Sequence, residues 1–370
     1  MRYYLIVGER SGDLHGSNLV KALRQHDSQA SFRGFGGNYM KEAGVEVVVD
    51  YNQLAFMGFL AVIANFRTIS RLLKYCKQDI LAFKPDVIIL IDYAGFNMRI
   101  ARFAKEKNLK VFYYISPKVW AWNTGRAWKL KANVDHLFSI LPFEKEFFKK
   151  FDWDVDYVGN PVLDAIKAFE SDPEFLKKND LLTDKKIVAL LPGSRSMELK
   201  RMIPVMAELV RMNPDYQFVV AAVKTLDGQL YAPLRENPSV KFVYESTYDL
   251  LTHARSAIVT SGTATLETGL FKVPQAVIYK AGLLEYWLLK QLVKIPFISL
   301  SNLIANRLVI KEFIQHEMTA TNLNAELKQL VEDTPTRKKM LNDYDDVYQM
   351  LDTGSASENA ARLMVGYLKK

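Results

Sequence analysis

Apolar and polar positions alternate over the first 160 residues in a pattern of short strands followed by helices. Residues 3–7 predict a buried strand, and residues 14–25 carry apolar side chains at helical spacing. The five consecutive apolar residues at 87–91 predict a strand covered on both faces, as in a parallel sheet. Repeated alternation of this kind indicates a doubly wound α/β domain.

The same alternation restarts in the second half of the chain. Buried strands are predicted at 187–191, 217–223, 240–245, 257–260 and 274–279. A polar segment at 164–184, which contains Pro173, predicts the linker between the halves. We therefore expect two Rossmann-like doubly wound parallel-sheet domains with a cleft between them. Their expected limits are 1–165 and 166–345, and a terminal helical segment, 346–370, is expected to cross back to the first domain.

The composition of the chain limits the kinds of partner and the compartment that we expect for it. With 370 residues, of which 49% are apolar, the chain can bury two cores. Its net charge of +8 favours anionic partners such as nucleotides or phospholipid surfaces, and because the excess is spread out we expect no nucleic acid. The lone Cys76 forms no internal disulfide, which is typical of a reducing compartment, and the first apolar run is too short for a signal peptide. We expect a cytoplasmic protein.

The buried run at 87–91 ends in an acid, Asp92, and a glycine-containing loop follows. Open α/β sheets bind their ligands at the carboxyl ends of their strands, so this carboxylate is a candidate for the active site. An aspartate that caps a helix or a turn explains the same pattern equally well. The residues alone leave both interpretations open.

Glycines at positions 8, 12 and 16 follow the first predicted strand and lead into a helix. They allow a ligand to approach the backbone, and a helix N-terminus favours an anion. Their spacing is not that of the dinucleotide fingerprint, and the later glycines at 34, 36 and 37 have no strong helix after them. We therefore exclude an NAD-type site.

Two loops of the second half, 192–198 and 261–267, each join a predicted strand to a helix and combine glycine with hydroxyl side chains. Together with Arg195 they predict a diphosphate cradle, because backbone N–H groups and a guanidinium both match phosphate oxygens. Glu267, about one turn inside the helix, is placed to accept hydrogen bonds from ribose hydroxyls. A solvated helix acid is nearly as good an interpretation of Glu267.

Two further stretches are unusually apolar. Residues 56–66 cover more of a helix circumference than one buried stripe needs, and three basic residues follow them at 67, 71 and 74. This combination suggests membrane or acyl-chain contact, although packing in the core also explains it. The predicted contact residues are Phe59, Leu60, Val62 and Ile63. Residues 283–300 carry too many charges to span a bilayer but suit its surface.

Seven motifs, in this order and spacing, closely resemble the lipid-A-disaccharide synthase family of GT-B glycosyltransferases. They lie at residues 8–13 (Gly-Glu-x-Ser-Gly-Asp), 91–97, 116–122 (with Val-Trp-Ala-Trp), 141–144 (Leu-Pro-Phe-Glu), 191–195 (Leu-Pro-Gly-Ser-Arg), 261–267 and 299–303. The resemblance runs from about residue 3 to residue 316. Ala94, Lys118 and Asn160 stand where this family usually has Pro, Gln and His.

The resemblance implies a reaction and its residues. A diacylglucosamine unit would move from its UDP derivative to the 6-hydroxyl of diacylglucosamine 1-phosphate, with inversion and release of UDP. Asp92 would be the general base, and GT-B enzymes generally need neither a metal nor another cofactor, so none is expected. The implied substrate-binding residues are Ser11, Gly12, Asn97, Arg195, Ser261, Gly262, Thr263, Glu267, Asn302 and Gln315.

Because both substrates carry fatty acyl chains, we expect peripheral association with the inner face of the cytoplasmic membrane, helped by the positive charge. A homodimer is left open. Two other hypotheses fit the two-domain plan: a UDP-sugar 2-epimerase, and a nonenzymatic protein that binds a nucleotide sugar or a lipid.

Overall fold

The computed structural model describes residues 1–53, 66–122, 124–282, 286–287 and 295–369. The chain divides into two compact units: Met1–Asp164 with Leu351–Lys370, and Ala165–Met350. The predicted limits placed the last boundary five residues earlier, at 345. The second unit extends further because the helix Pro335–Leu351 continues without a break.

The first unit contains a parallel sheet of seven strands in the order β3-β2-β1-β4-β5-β6-β7. The strands are β1 (Arg2–Ile6), β2 (Ser31–Gly36), β3 (Glu46–Asp50), β4 (Val87–Ile91), β5 (Val111–Tyr114), β6 (His136–Ser139) and β7 (Asp156–Tyr157). The central strand β4 is buried at all five positions, as its uninterrupted apolar run predicts. The helices of this part of the chain are α1 (Arg10–His26), α2 (Asn38–Glu42), α3 (Phe66–Phe83), α4 (Ala94–Glu106), α5 (Val119–Trp122), α6 (Arg126–Asn133), α7 (Pro142–Lys149) and α8 (Pro161–Lys167). A 3₁₀ turn lies at Tyr51–Gln53.

The second unit contains a parallel sheet of six strands in the order β10-β9-β8-β11-β12-β13. The strands are β8 (Ile187–Leu191), β9 (Gln217–Ala222), β10 (Lys241–Tyr244), β11 (Ser256–Thr260), β12 (Gln275–Tyr279) and β13 (Glu312–Ile314). The helices are α9 (Phe175–Lys178), α10 (Ser196–Arg211), α11 (Ala232–Arg235), α12 (Thr247–His253), α13 (Thr263–Leu270), α14 (Leu300–Ala305), α15 (Ala320–Val331) and α16 (Pro335–Leu351). Further 3₁₀ turns lie at Gly228–Tyr231 and Gln315–Glu317. The hydrophobic pattern did not predict β13, because three residues are too few to show a periodicity.

The last helix, α17 (Ala356–Leu368), belongs to the first unit, where it packs on α1. Ala360 and Ala361 are fully buried in this contact, and such small side chains let two helices approach closely. At its start, the Asp164 carboxylate accepts the main-chain N–H groups of Ala356 and Ser357, both at 3.0 Å. These contacts tie the end of the chain to the first unit.

Both sheets have a topological switch point, where the strand order changes direction. It lies between β1 and β4 in the first unit and between β8 and β11 in the second. Ligands of open α/β sheets bind at the carboxyl ends of such strand pairs. The predicted loops after β1, β4, β8 and β11 therefore all lie at switch points.

The apolar segment predicted to contact acyl chains, with Phe59, Leu60, Val62 and Ile63, lies outside the described residues. Most of the second apolar stretch, at 283–285 and 288–294, also lies outside them. In the part of the chain that the structure describes, no helix is both long enough and apolar enough to cross a bilayer.

Candidate active site

Asp92 stands on strained backbone directly after β4. Asp92 and Tyr93 both have a φ of 46°, in the left-handed region that side chains other than glycine rarely adopt. Two buried groups hold this turn through the main-chain oxygen of Asp92: Asn97 Nδ2 donates to it at 2.8 Å and the Tyr113 hydroxyl at 2.5 Å. The strain is thus maintained by neighbouring side chains, as is common at functional sites.

The environment of the half-buried Asp92 carboxyl makes it a better proton acceptor than a free aspartate. Burial raises its pKa, while the positive charge of Lys118 and a hydrogen bond from the Tyr93 main chain lower it. Lys118 is exposed and follows β5, the strand next to β4. A carboxylate with this balance is suited to general base catalysis.

The loop after β1 lies beside the Asp92 turn. A Cβ atom on Gly8 would be only 2.2 Å from Cγ of Tyr93, so the ring excludes every side chain at position 8. Ser11, at the start of α1, is exposed, whereas Gly12 is buried against Val7. Ser11 therefore remains a candidate for substrate contact. Gly12 has no side chain, which lets the start of α1 pack closely against Val7.

Asn97 holds the Asp92 turn through one end of its amide. It is fully buried, and its Nδ2 donates to the main-chain oxygens of Ile91 (3.2 Å) and Asp92 (2.8 Å). Its Oδ1 is buried without a hydrogen-bond partner among the described residues. We therefore assign Nδ2 to positioning Asp92, and the predicted contact of Asn97 with a substrate stays a prediction.

Glu144 is a buried carboxylate at the sheet edge that the sequence-based site prediction missed. Its carboxylate is 1% exposed, lies at the start of α7 and accepts hydrogen bonds, all at 3.1 Å, from Trp120 Nε1 and the N–H groups of Ile140 and Leu141. Burial raises the pKa of Glu144 to about 7. Trp120 also packs edge-on against Phe143, with 5.0 Å between ring centroids. The Trp-rich loop is thus attached to the same edge of the sheet as Asp92. The sequence feature that could have predicted this role is a glutamate in the first turn of a helix that begins with a proline.

In the second unit, the loop after β11 offers free main-chain donors. Ser261 donates its hydroxyl to the main-chain oxygen of Ile298 at 2.8 Å, and Gly262 and Thr263 are exposed. Within the described residues, the N–H groups of Gly262, Thr263 and Ala264 have no acceptor. They lie at the N-terminus of α13, where the helix dipole favours an anion.

The loop after β8 is built differently from this loop. Glu198 Oε2 accepts the N–H groups of Ser194 (3.1 Å) and Arg195 (3.2 Å), so the helix α10 is capped by its own carboxylate. Gly193 lies beside that carboxylate with a φ of 104°, a conformation that favours glycine. Two amides of this loop are thus already used, and the predicted binding of phosphate by its backbone stays a prediction. The loop also offers the exposed guanidinium of Arg195, which pairs with Glu198 at 3.3 Å.

Glu267 lies one turn inside α13. The Tyr248 hydroxyl donates to its Oε1 at 2.8 Å, and Oε2 has no hydrogen-bond partner within the described residues. Burial raises the pKa of Glu267, and the hydrogen bond from Tyr248 lowers it. A carboxylate oxygen is thus left for a ligand hydroxyl.

For Asn302, in contrast to Asn97, the predicted substrate contact is wrong. It is fully buried, and its Oδ1 accepts the N–H groups of Val309 and Ile310, both at 2.8 Å. Its Nδ2 donates to the main-chain oxygen of Ile310 (2.8 Å) and to Glu312 (2.9 Å). An amide whose hydrogen bonds are all made inside the unit has none for a substrate.

Gln315 differs from Asn302, because its Nε2 atom is buried without a hydrogen-bond partner among the described residues. Its φ of 56° is again in the left-handed region. An unpaired buried donor on strained backbone keeps Gln315 a candidate for ligand contact. Within the described ranges, no group of three or more His, Cys, Asp or Glu side chains is arranged to hold a metal ion.

These features place two sets of groups at two switch points. In the first unit, Asp92 and Ser11 follow the two strands of one switch point, and in the second, Arg195, the 261–263 loop and Glu267 follow the two strands of the other. This arrangement defines the two-domain Rossmann-like class that includes the GT-B glycosyltransferases. Solved structures agree: a UDP-GlcNAc 2-epimerase from Neisseria meningitidis (TM-score 0.68, 14% identity, all of both chains covered) and the calicheamicin glycosyltransferase CalG4 (TM-score 0.62, 14% identity, 100% and 98% covered) share the fold.

The chain belongs to the lipid-A-disaccharide synthetase family, whose model matches residues 3–364. Relatives named lipid-A-disaccharide synthase include proteins of Geobacter metallireducens (36% identity, 100% of this chain and 98% of the relative) and Coxiella burnetii strain Dugway 5J108-111 (35%, 97% and 96%). A protein of Syntrophus aciditrophicus is 36% identical over 99% of this chain and 97% of its own. The chain is therefore a glycosyltransferase of lipid A biosynthesis, which decides against the epimerase and the nonenzymatic hypotheses.

Proposed function

We propose that the chain transfers a 2,3-diacylglucosamine unit from its UDP derivative to the 6-hydroxyl of 2,3-diacylglucosamine 1-phosphate. The products are the β-1,6-linked disaccharide 1-phosphate and UDP. The observation that carries this proposal is the Asp92 carboxylate, which is fixed on strained backbone at a switch point in a chain of this family. The same geometry supports a single displacement with inversion, because one general base is sufficient for it.

Asp92 takes the proton of the acceptor 6-hydroxyl as its oxygen attacks the anomeric carbon of the donor. The bond from that carbon to the diphosphate oxygen breaks, and the electron pair leaves with UDP. The raised pKa of the half-buried carboxyl helps it to accept this proton. The strained turn held by Asn97 and Tyr113 fixes its position.

The second unit supplies the groups that bind the donor. The free N–H groups at residues 262–264 and the Arg195 guanidinium neutralise the charge of the diphosphate, and Glu267 accepts a hydrogen bond from the ribose. The proposal includes no metal and no other cofactor, since these donors provide the charge neutralisation that the leaving group needs.

Release of UDP from UDP-2,3-diacylglucosamine, measured with and without 2,3-diacylglucosamine 1-phosphate, tests the proposal. We expect release only when the acceptor is present, with one disaccharide 1-phosphate formed for each UDP. Proton NMR of the product should show the β-anomer. UDP release at the same rate without acceptor, or an α-linked product, would contradict it.

We also propose that the protein associates peripherally with the inner face of the cytoplasmic membrane. Helix α3 follows the apolar segment at 56–66 and exposes Arg67, Arg71 and Lys74, which are spaced to lie on one helix face. None of the three has an ion-pair partner within the described residues. Such a face is attracted to anionic phospholipid headgroups.

Sedimentation with vesicles of anionic phospholipid tests this association. We expect binding at low salt that weakens at high salt, and a triple variant R67Q/R71Q/K74Q should bind at least about tenfold less, at roughly 1 kcal/mol per charge. The matched control, K145Q/K149Q/K150Q, removes three exposed lysines of the α7 region. Equal loss in both triple variants would show a general charge effect. A homodimer stays an expectation that light scattering of the purified protein would test.

A further inference from the structure

Tyr248 contacts the proposed donor site without being part of it. It lies on α12 and is half-buried, and its hydroxyl donates to Glu267 Oε1 at 2.8 Å. The other oxygen of that carboxylate is the one left for a ligand. A single hydrogen bond therefore fixes which oxygen of Glu267 is left without a partner among the described residues.

The ring of Tyr248 is itself held in place by two aromatic side chains. Phe169 packs edge-on against it with 5.4 Å between ring centroids, and Phe271 packs at 5.0 Å. The two phenylalanines also contact each other at 5.9 Å. Because neither can form a hydrogen bond to the Tyr248 hydroxyl, the aromatic cluster fixes the ring and leaves Glu267 as its partner.

We propose that Tyr248 is a positioning residue that orients the Glu267 carboxylate toward the ribose hydroxyls of the UDP donor. This inference rests on the proposed function, because it needs Glu267 to contact ribose. Without Tyr248, a half-buried carboxylate would lose a hydrogen bond to its charged form and would rotate among several orientations. The proposed role needs no contact between Tyr248 and UDP itself.

The binding of two nucleotides to four proteins separates this role from a merely structural one. Isothermal titration measures the Kd of UDP and of 2′,3′-dideoxy-UDP for the wild type, Tyr248→Phe, Glu267→Gln and the double variant. The Phe variant keeps the ring and its packing, so it should fold. Tyr244→Phe is the matched control, because Tyr244 accepts a hydrogen bond from Arg235 at 2.8 Å in the same unit, away from Glu267.

We expect Tyr248→Phe to weaken UDP binding by about 5- to 20-fold, less than the roughly 10- to 150-fold of a direct hydrogen bond to a charged group, because Tyr248 acts through Glu267. Binding of the dideoxy nucleotide should change by less than about twofold, since it has no hydroxyl for Glu267 to accept from. In the Glu267→Gln background, Tyr248→Phe should add little. Tyr244→Phe should change neither Kd.

Two outcomes would overturn the inference while leaving donor binding intact. Equal weakening of both nucleotides by Tyr248→Phe would show a general structural role, and no weakening would show that Glu267 is oriented without it. A different result tests the proposed function: if the wild type fails to bind UDP, or binds both nucleotides equally, the ribose assignment of Glu267 fails and this inference fails with it.

Discussion

The two switch points share a parallel topology but present different chemistry. At the first, the functional group is one side chain, Asp92, on a turn that two buried residues hold under strain. At the second, the main chain provides donors at the start of α13, and Arg195 and Glu267 surround them. In the proposed reaction, the first edge would position a single proton acceptor, whereas the second would distribute several contacts over the diphosphate and ribose of the donor.

This difference between the two edges determines whether a substitution should change kcat or the affinity for the donor. A proton acceptor works only in the transition state, so changes at the first edge should reduce kcat. Contacts with the diphosphate and ribose exist already in the ground state, so changes at the second edge should reduce donor affinity. The comparison fails if both kinds of change affect both quantities equally.

The largest effect is expected from Asp92→Asn. Asparagine tolerates the left-handed conformation of this turn, so the geometry should persist while the base is lost. The kcat should fall by about 10²- to 10⁴-fold, and the Kd of UDP should change by less than about twofold. Asp152→Asn is the matched control, because Asp152 also has a positive φ, 52°, and is exposed. A variant of Asp92 that kept more than about a tenth of the wild-type rate would remove the base from the proposed mechanism.

Arg195→Ala tests the other side of the comparison. Loss of a charge-assisted contact to the diphosphate should raise the Kd of UDP by about 10- to 100-fold. Stability should change little, since the exposed Arg195–Glu198 pair contributes at most about 1 kcal/mol. The control Arg211→Ala removes an exposed arginine at the other end of α10, which pairs with Glu236 at 3.8 Å. An unchanged Kd in Arg195→Ala would mean that the free amides of the 262–264 loop bind the diphosphate without it.

Asn97→Ala should affect the first switch point only by loosening the turn that carries Asp92. Removing the buried amide leaves the main-chain oxygen of Asp92 with one donor fewer and should cost about 1–3 kcal/mol of unfolding free energy. The kcat should fall about tenfold, because the turn that positions Asp92 loosens. Urea denaturation and steady-state kinetics measure the two effects.

The control for Asn97→Ala is Asn133→Ala, which removes an amide that donates to the main-chain oxygen of Lys129 at 2.6 Å on the surface of the same unit. A tenfold rise in the Kd of UDP, with kcat unchanged, would contradict the assignment of Asn97 to the Asp92 turn.

The strands, the fold class and the edge positions of the loops could be predicted from the sequence, because they depend on local periodicity and motif spacing. The buried run that ends at Asp92 is an example: five apolar residues define β4, and its carboxyl end follows from the chain direction. The capped loop after β8 also left a local signal. Glu198 stands three residues after Arg195, the spacing of a capping box, and indicates that some of the loop amides are already used.

The roles of Asn97 and Asn302 could not be predicted in this way, because their partners are set by tertiary contacts. Asn302 reaches main-chain groups of the segment before β13, whose position depends on the completed sheet. Tyr248 and Glu267 are 19 residues apart and meet only because α12 and α13 flank β11. A motif shows which polar residues gather at an edge, and only the packing shows which of them face inward.

The smallest expected effect comes from Lys118→Gln, which installs the residue usual in the family at this position. The Lys118 charge lowers the pKa of Asp92 against the effect of burial, so its removal should raise that pKa. Because the base must be ionised, activity falls as pH drops through this pKa, and the acid limb of kcat/KM should move to higher pH.

At acidic pH the Lys118→Gln variant should be about two- to threefold slower than the wild type, since an exposed charge acts weakly through water. At alkaline pH the two proteins should be equally active. Salt should reduce the difference, and Lys129→Gln, an exposed lysine on α6, should leave the profile unchanged. An acid limb at the same pH in both proteins would show that Asp92 is ionised without help from Lys118, and that burial and the Tyr93 main-chain hydrogen bond set the strength of the base.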